Sequence, residues 1–291
     1  MNGFARLIVF TFLVILSSNA FGYIPRFEMI VDRLGRNHGY GYYLIDQEVV
    51  IPAQPTPYIV KEQWLINTDG SFRLRVKGER ELRDKLDITI VYNGMRKHYV
   101  DASGAVKSTQ VGSEFADPLF FWKSTDKIID LLRQFKVQLP DYKSLEKLVN
   151  ADSNTPINPG RSETLNLARV GGTTAYAIGR LTDFGQAEKE PAIWIEQDQF
   201  NILKIRLPSQ TEVVAKEYGR HARGLYFPKS RTIQTTTGNY QINLRQIKPV
   251  DGGASNRALL SRASLDPKKY PHIKLKLPDI DAVKTFYQKY R

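Results

Sequence analysis

Residues 191–247, PAIWIEQDQFNILKIRLPSQTEVVAKEYGRHARGLYFPKSRTIQTTTGNYQINLRQI, contain five strand-like runs in succession, with turn residues at nearly every point where one run must end. Leu203, Ile205 and Leu207 alternate with Lys204 and Arg206, which gives a strand one apolar and one wet face. Pro208-Ser209 ends that run, Thr211 to Tyr218 makes the next, Gly219 and Gly224 flank a basic turn, and Thr237-Gly238-Asn239 reverses the chain again. Five antiparallel strands on short turns are not stable as an isolated ribbon. They require more strands, or helices, over the apolar face.

The rest of the chain supplies both. Pro25 opens a helix with Phe27, Ile30, Val31 and Leu34 on one face, closed between Gly35 and Gly39. Tyr42 to Ile51 and Tyr58 to Asn67 read as strands, and Asp69-Gly70 turns into a third in which Phe72, Leu74 and Val76 alternate with basic residues. Ile88 to Tyr92 and Arg96 to Asp101 flank Asn93-Gly94, a strong hairpin signal, and a short strand is expected from Ala105 to Gln110. The period then becomes helical: Ser124 caps a segment with Ile128, Leu131, Leu132 and Phe135 on one face, and Tyr142, Leu145 and Leu148 mark another. A polar loop at residues 150–161 follows before strands resume at Leu165 to Val170 and Thr173 to Leu181.

The expected fold is therefore mainly β, of the α+β kind: about 11 antiparallel strands in one sheet with helices laid across it. The expected boundaries are a leader at residues 1–20, one sheet domain at 21–252, and a basic extension at 253–291 that ends in a helix from Pro278 to about Tyr290.

The leader reading rests on Arg6, an apolar stretch from Leu7 to Leu16, and small residues at Ser18 and Ala20, the pattern of a secretory signal peptide cleaved after Ala20 or Gly22. A membrane anchor is the alternative, but the apolar run falls short of the ~20 residues that span a bilayer. Cysteine is absent. An exported chain without disulfides is held by burial alone, and cysteine nucleophiles, thiolate metal sites and an N-terminal lipid anchor go with the missing residue. The net charge of +12 is high for an exported protein. With export set against nucleic acid, it suggests anionic headgroups of envelope lipids, or else simply a solvated basic surface. Much of the excess sits between Ser255 and Arg291, where Lys268, Lys269, Lys274 and Lys276 form the candidate basic surface.

An opening helix, a curved antiparallel sheet, a helical interruption, a Trp-containing strand and then a strand ending in Leu-Pro resemble the lipoprotein-carrier (LolA-like) superfamily of the bacterial envelope. The residues that carry the resemblance are Ala192 to Asp198, Leu203 to Pro208 and Gly224 to Lys229. Weaker echoes are Glu62-Gln63-Trp64-Leu65 and Val91-Tyr92-Asn93-Gly94. The resemblance implies a curved sheet forming an incomplete barrel, its concave face lidded by helices, and a non-enzymatic periplasmic carrier, without cofactor, whose cleft receives acyl chains of lipids or lipoproteins. A regulatory or scaffold module of the same fold that binds another envelope protein is the alternative. Each methylene moved from water into an apolar groove is worth ~0.8 kcal/mol, so a continuous dry trough suffices to hold a chain. Trp64, Phe72, Leu74, Val76, Ile88, Ile90, Leu203, Ile205 and Leu207, on apolar strand faces, are the candidates to line it. The same residues form an ordinary core if helices fill the trough.

Catalysis finds little support. His38, His98, His221 and His272 lie far apart in the sequence, mostly beside glycine, proline or basic residues, and read as surface groups. Ser124-Thr125-Asp126-Lys127 and Ser144-Leu145-Glu146-Lys147 match the Ser-x-x-Lys of acyl-transfer enzymes, but the companion Ser-Asp-Asn and Lys-Thr-Gly elements are missing.

Overall fold

The computed structural model describes residues 24–141, 163–180, 189–270 and 273–291. The proposed leader, the helix expected at Tyr142 to Leu148, the 150–161 loop and His272 lie outside them.

Among the described residues thirteen strands, two more than expected, form one curved, unclosed antiparallel sheet. In chain order they are β1 (Tyr42–Ile51), β2 (Tyr58–Asn67), β3 (Ser71–Lys77), β4 (Asp87–Asn93), β5 (Arg96–Val100), β6 (Val106–Gln110), β7 (Leu165–Val170), β8 (Thr173–Ile178), β9 (Ala192–Glu196), β10 (Ile202–Arg206), β11 (Glu212–Arg220), β12 (Tyr226–Thr235) and β13 (Gly238–Val250). β1 to β6 form one meander and β7 to β13 another. The two join where the first and last strands pair, giving the order β6-β5-β4-β3-β2-β1-β13-β12-β11-β10-β9-β8-β7. The long strands at the centre set the register: Gln47 lies opposite Glu62, Trp64 opposite Leu74, and Leu74 opposite Ile90.

Two irregularities bend the sheet. Asp46 pairs with Gln246 but Gln47 with Leu244, leaving Arg245 as an extra residue in β13. Ile202 pairs with Ile195 but Lys204 with Trp194, leaving Leu203 extra in β10. An extra residue on one strand sharpens local twist and turns the following side chains.

Helices cover the concave face. α1 (Phe27–Arg36) buries Phe27, Ile30, Val31 and Leu34, and α2 (Thr125–Gln134) buries Ile128, Leu131 and Leu132. The two pack on each other. Close approach there requires Gly35, since a Cβ at that position would collide with the Lys123 carbonyl oxygen. Ser124 caps α2 as expected, its Oγ accepting from the Lys127 N–H at 3.4 Å.

The C-terminal extension passes from one face of the sheet to the other. Beyond β13 come α3 (Ala254–Leu259) and a 3-10 turn (Arg262–Leu265); Leu265 and Ile273 pack on the convex face with Val91 and Val100. β4 and β5 pair only from Val91 to Asn93 against His98 to Arg96, and then diverge. The extension fills that gap. Leu275 N donates to Val100 O at 2.8 Å, while Asp87 and Lys276 exchange bonds of 3.1 and 2.7 Å. From there Leu275, Leu277 and Ile280 join the concave core, and α4 (Asp281–Lys289) lies over it with Val283, Phe286 and Tyr287 buried.

Candidate functional site

Alternation along the strands delivers eight of the nine expected trough residues to one apolar cluster on the concave side: Trp64, Phe72, Leu74, Val76, Ile88, Ile90, Ile205 and Leu207. Leu203 is the exception. The bulge described above turns it to the opposite face, beside Ala175, Ala177, Ala192 and Trp194, and puts Ile202 into the main core instead.

The trough is full. Between β6 and α2 the segment Phe115 to Trp122, which includes a 3-10 turn at Asp117–Phe120, folds down onto β2, β3 and β4. Phe72 stacks on Tyr92 with ring centroids 4.4 Å apart, Tyr92 on Phe115 at 5.1 Å, and Phe121 meets Phe72 edge-on at 5.1 Å. α4 occupies the adjoining half, with Phe286 5.1 Å and Tyr290 5.7 Å from the Tyr240 ring of β13. Among the described residues a hollow of about 10 Å³ lies between Ile45, Gln47, Trp64, Ile66, Asp117, Phe121, Phe227 and Arg231. That is about the space one water needs. The ready-made groove that was one reading of the sequence is thus replaced by side-chain packing.

Through this packing runs a closed ring of charges. Arg291, with no exposed side-chain surface, donates from Nε to Glu62 at 3.0 Å and from Nη1 to Asp117 at 2.7 Å. Asp117 also accepts from Arg231 at 2.6 Å; Arg231 donates to Gln47 Oε1 at 2.6 Å; and Gln47 Nε2 donates to Glu62 at 2.7 Å, closing the circuit. Trp64 Nε1 adds a bond to Glu62 at 3.1 Å, and the guanidinium of Arg291 lies 5.4 Å from the Trp64 ring and 4.7 Å from that of Phe286. Two positive and two negative groups can be buried together because each is paired and hydrogen-bonded. Burial opposes the charge on Arg291, but Asp117 and Glu62 outweigh it and raise its pKa. The phenol of Tyr92, beside the ring, is pushed well above its ordinary value, chiefly by burial.

These ring members were not singled out as a site from sequence, yet a signal was present. In β2 the inward residues are Val60, Glu62, Trp64 and Ile66, so an acid stands on an apolar face. Phe115 to Trp122, an aromatic-rich segment between strand and helix, was likewise a visible candidate for filling.

His38 corrects a second expectation. It is buried, not a surface group, and its Nδ1 lies 2.5 Å from the Trp122 carbonyl oxygen as a donor. Burial lowers its pKa to about 4, partly opposed by that bond. His98 bonds to Ser108 Oγ at 2.7 Å, and among the described residues no group of three or more His, Asp or Glu could hold a metal. Lys268, Lys269, Lys274 and Lys276 are all exposed along the extension. Among the described residues no helix is long and apolar enough to cross a membrane.

A deep, open antiparallel sheet with helices roofing its apolar concave face is the LolA-like fold. Solved structures of this architecture include an outer membrane lipoprotein-sorting protein domain from Vibrio parahaemolyticus (TM-score 0.50, 11% identity, covering 82% of this chain and 97% of that one). A LolA superfamily protein from Nitrosomonas europaea gives a TM-score of 0.52 at 10% identity, over 82% of this chain and 99% of its own. A DUF1329 family protein from Desulfovibrio piger gives 0.50 at 11% identity, over 82% and 97%. No family model matches the sequence, and no curated protein matches it.

Proposed function

We propose that this chain is a non-enzymatic periplasmic protein that binds acyl chains of lipids or lipoproteins in its trough, and that the trough is closed in the unliganded chain. The observation that carries this reading is the division of the filling into two parts. Phe115 to Trp122 is fixed at both ends between β6 and α2. α4, by contrast, is a short helix with one flank on an open hollow of about 750 Å³ bounded by Pro52, Ala53, Gln54, Pro57, Thr237, Asn239 and Tyr240. The LolA-like fold and the one-sided apolar surface support acyl binding. The lipoprotein-sorting description of the Vibrio structure suggests the class of cargo. Lys268, Lys269, Lys274 and Lys276 would meet anionic headgroups at the membrane surface.

A second reading, an envelope module that recognises another envelope protein, is favoured by the small free volume in the trough. Lipid extraction and mass spectrometry of the purified chain, together with titration by a dansyl-labelled undecanoic acid, separate the two. A reproducible acyl ligand or saturable probe uptake supports the first reading; no lipid and no uptake at any probe concentration would leave the second.

A further inference from the structure

We propose that α4 is a tethered plug: the segment from Leu277 to Arg291 swings out of the trough about the strap fixed at Leu275 and Lys276, and an acyl chain takes its place. This rests on the acyl-binding reading above and adds how the site is regulated.

The strap is fixed to the sheet. Ile273 is buried on the convex face, and residues 275 and 276 are bonded to Val100 and Asp87 in the gap between β4 and β5. Beyond them the attachments are of a different kind. Phe286 and Tyr290 pack their rings at a tilt against Tyr240, and the Tyr290 hydroxyl lies 3.3 Å from Thr211 Oγ1. Apolar contacts of this sort are non-directional, so a hydrocarbon chain can replace them.

The directional hold on α4 is concentrated at its end. Arg291 supplies the bonds to Glu62 and Asp117, and Lys97 Nζ grips the Arg291 backbone oxygen at 3.0 Å. The outward side of the helix, with Asp281, Lys284, Thr285 and Gln288, is exposed. Its nine residues have no side-chain cap at Ile280, so the helix draws its stability from packing and melts readily once lifted. The ring tolerates the departure. Glu62 keeps Gln47 and Trp64, Asp117 keeps Arg231, and the remaining excess of one negative charge draws Arg291 back. Because the strap keeps the plug close, its effective concentration is high and the empty trough recloses.

The absence of native cysteine allows two clean labels on the full chain. Nitroxides on Gln288→Cys of α4 and Gln234→Cys of β12, both exposed, report the plug position by pulsed electron resonance. Saturation with dansyl-labelled undecanoic acid is expected to lengthen the distance. Arg291→Gln should lengthen it without ligand and tighten probe affinity about tenfold, since apparent affinity scales with the open fraction. Lys97→Met, a milder change at a half-exposed site, should move both readouts the same way by less, and it serves if Arg291→Gln does not fold. Probe that binds with the label distance unchanged overturns the plug and leaves acyl binding standing. A freed α4 with unchanged affinity also overturns it. A freed α4 with no probe uptake removes both the plug and the acyl reading.

Discussion

Leu74→Ala tests whether the concave face is packed or open. Leu74 is fully buried, with Trp64 and Ile90 as its cross-strand neighbours on that face. Truncation deletes three carbons, and at about 0.8 kcal/mol per methylene the transfer loss is about 2.4 kcal/mol. A residual hole of ~50 Å³ adds about 1.2 kcal/mol at ~24 cal/mol per Å³, because neighbours clamped in a thirteen-stranded sheet relax only partly. The expected cost is therefore about 3–4 kcal/mol. It should be read as a lower urea midpoint at unchanged slope. Ile205→Ala, in the same core but on β10, should behave alike. A leucine lining an empty groove would already be wetted, and its truncation would cost under about 1 kcal/mol. Losses that small at both positions would refute the packed trough. Aspartate at either site is no clean probe of ligand uptake, since burying an unpaired carboxylate in this core costs stability as well.

The pH profile follows from His38. Its native pKa of about 4 lies below the ordinary 6.5, so the unfolded chain takes up a proton first as pH falls. The His38 contribution is constant above pH 6.5 and declines from there to about pH 4, by about 3 kcal/mol at 1.36 kcal/mol per unit, and His98 and His221, also lowered by burial, act in the same direction. In His38→Gln that portion of the slope should vanish from denaturation curves taken across the interval; an unchanged slope would clear His38 of the effect. Ser124→Ala removes the α2 cap, whose 3.4 Å bond is long, and should lower stability by about 0.5–1 kcal/mol in urea melts. Replacing Lys268, Lys269, Lys274 and Lys276 by glutamate should abolish sedimentation with anionic vesicles at low salt while leaving neutral vesicles unaffected. Equal sedimentation by both proteins would remove the extension from membrane contact.

Much of this fold could be read from the chain because period-two patterning and turn chemistry are local. β1, β2 and β7 have the bounds expected from sequence, and the capping of α2 was visible at Ser124. The misplacements have local causes too small to mark a sequence. A single extra residue in β10 turns Leu203 away from Ile205 and Leu207, although the alternation itself is perfect. His38, between Asn37 and Gly39, looks like a turn residue, and only the approach of the Trp122 carbonyl from 84 positions away makes it a buried donor.

The C-terminal extension shows the deeper limit. Its charge and its terminal helix were both legible, and on composition alone a basic tail belongs in solvent. Its destination depends instead on where β4 and β5 part, a property of the sheet and not of the tail. Glu62 in β2 and Asp117 before α2 likewise acquire meaning only when Arg291, 229 and 174 positions away, reaches them. A buried acid on an apolar strand face states that a cation must come; it does not say from where. Here the cation comes from the C-terminal extension, so one set of contacts completes the core, and in the proposed plug the same contacts are the ones that release it. A trough filled wholly by strand and loop residues would have no such freedom, so the proposed plug is what separates a closed binding site from a merely filled one.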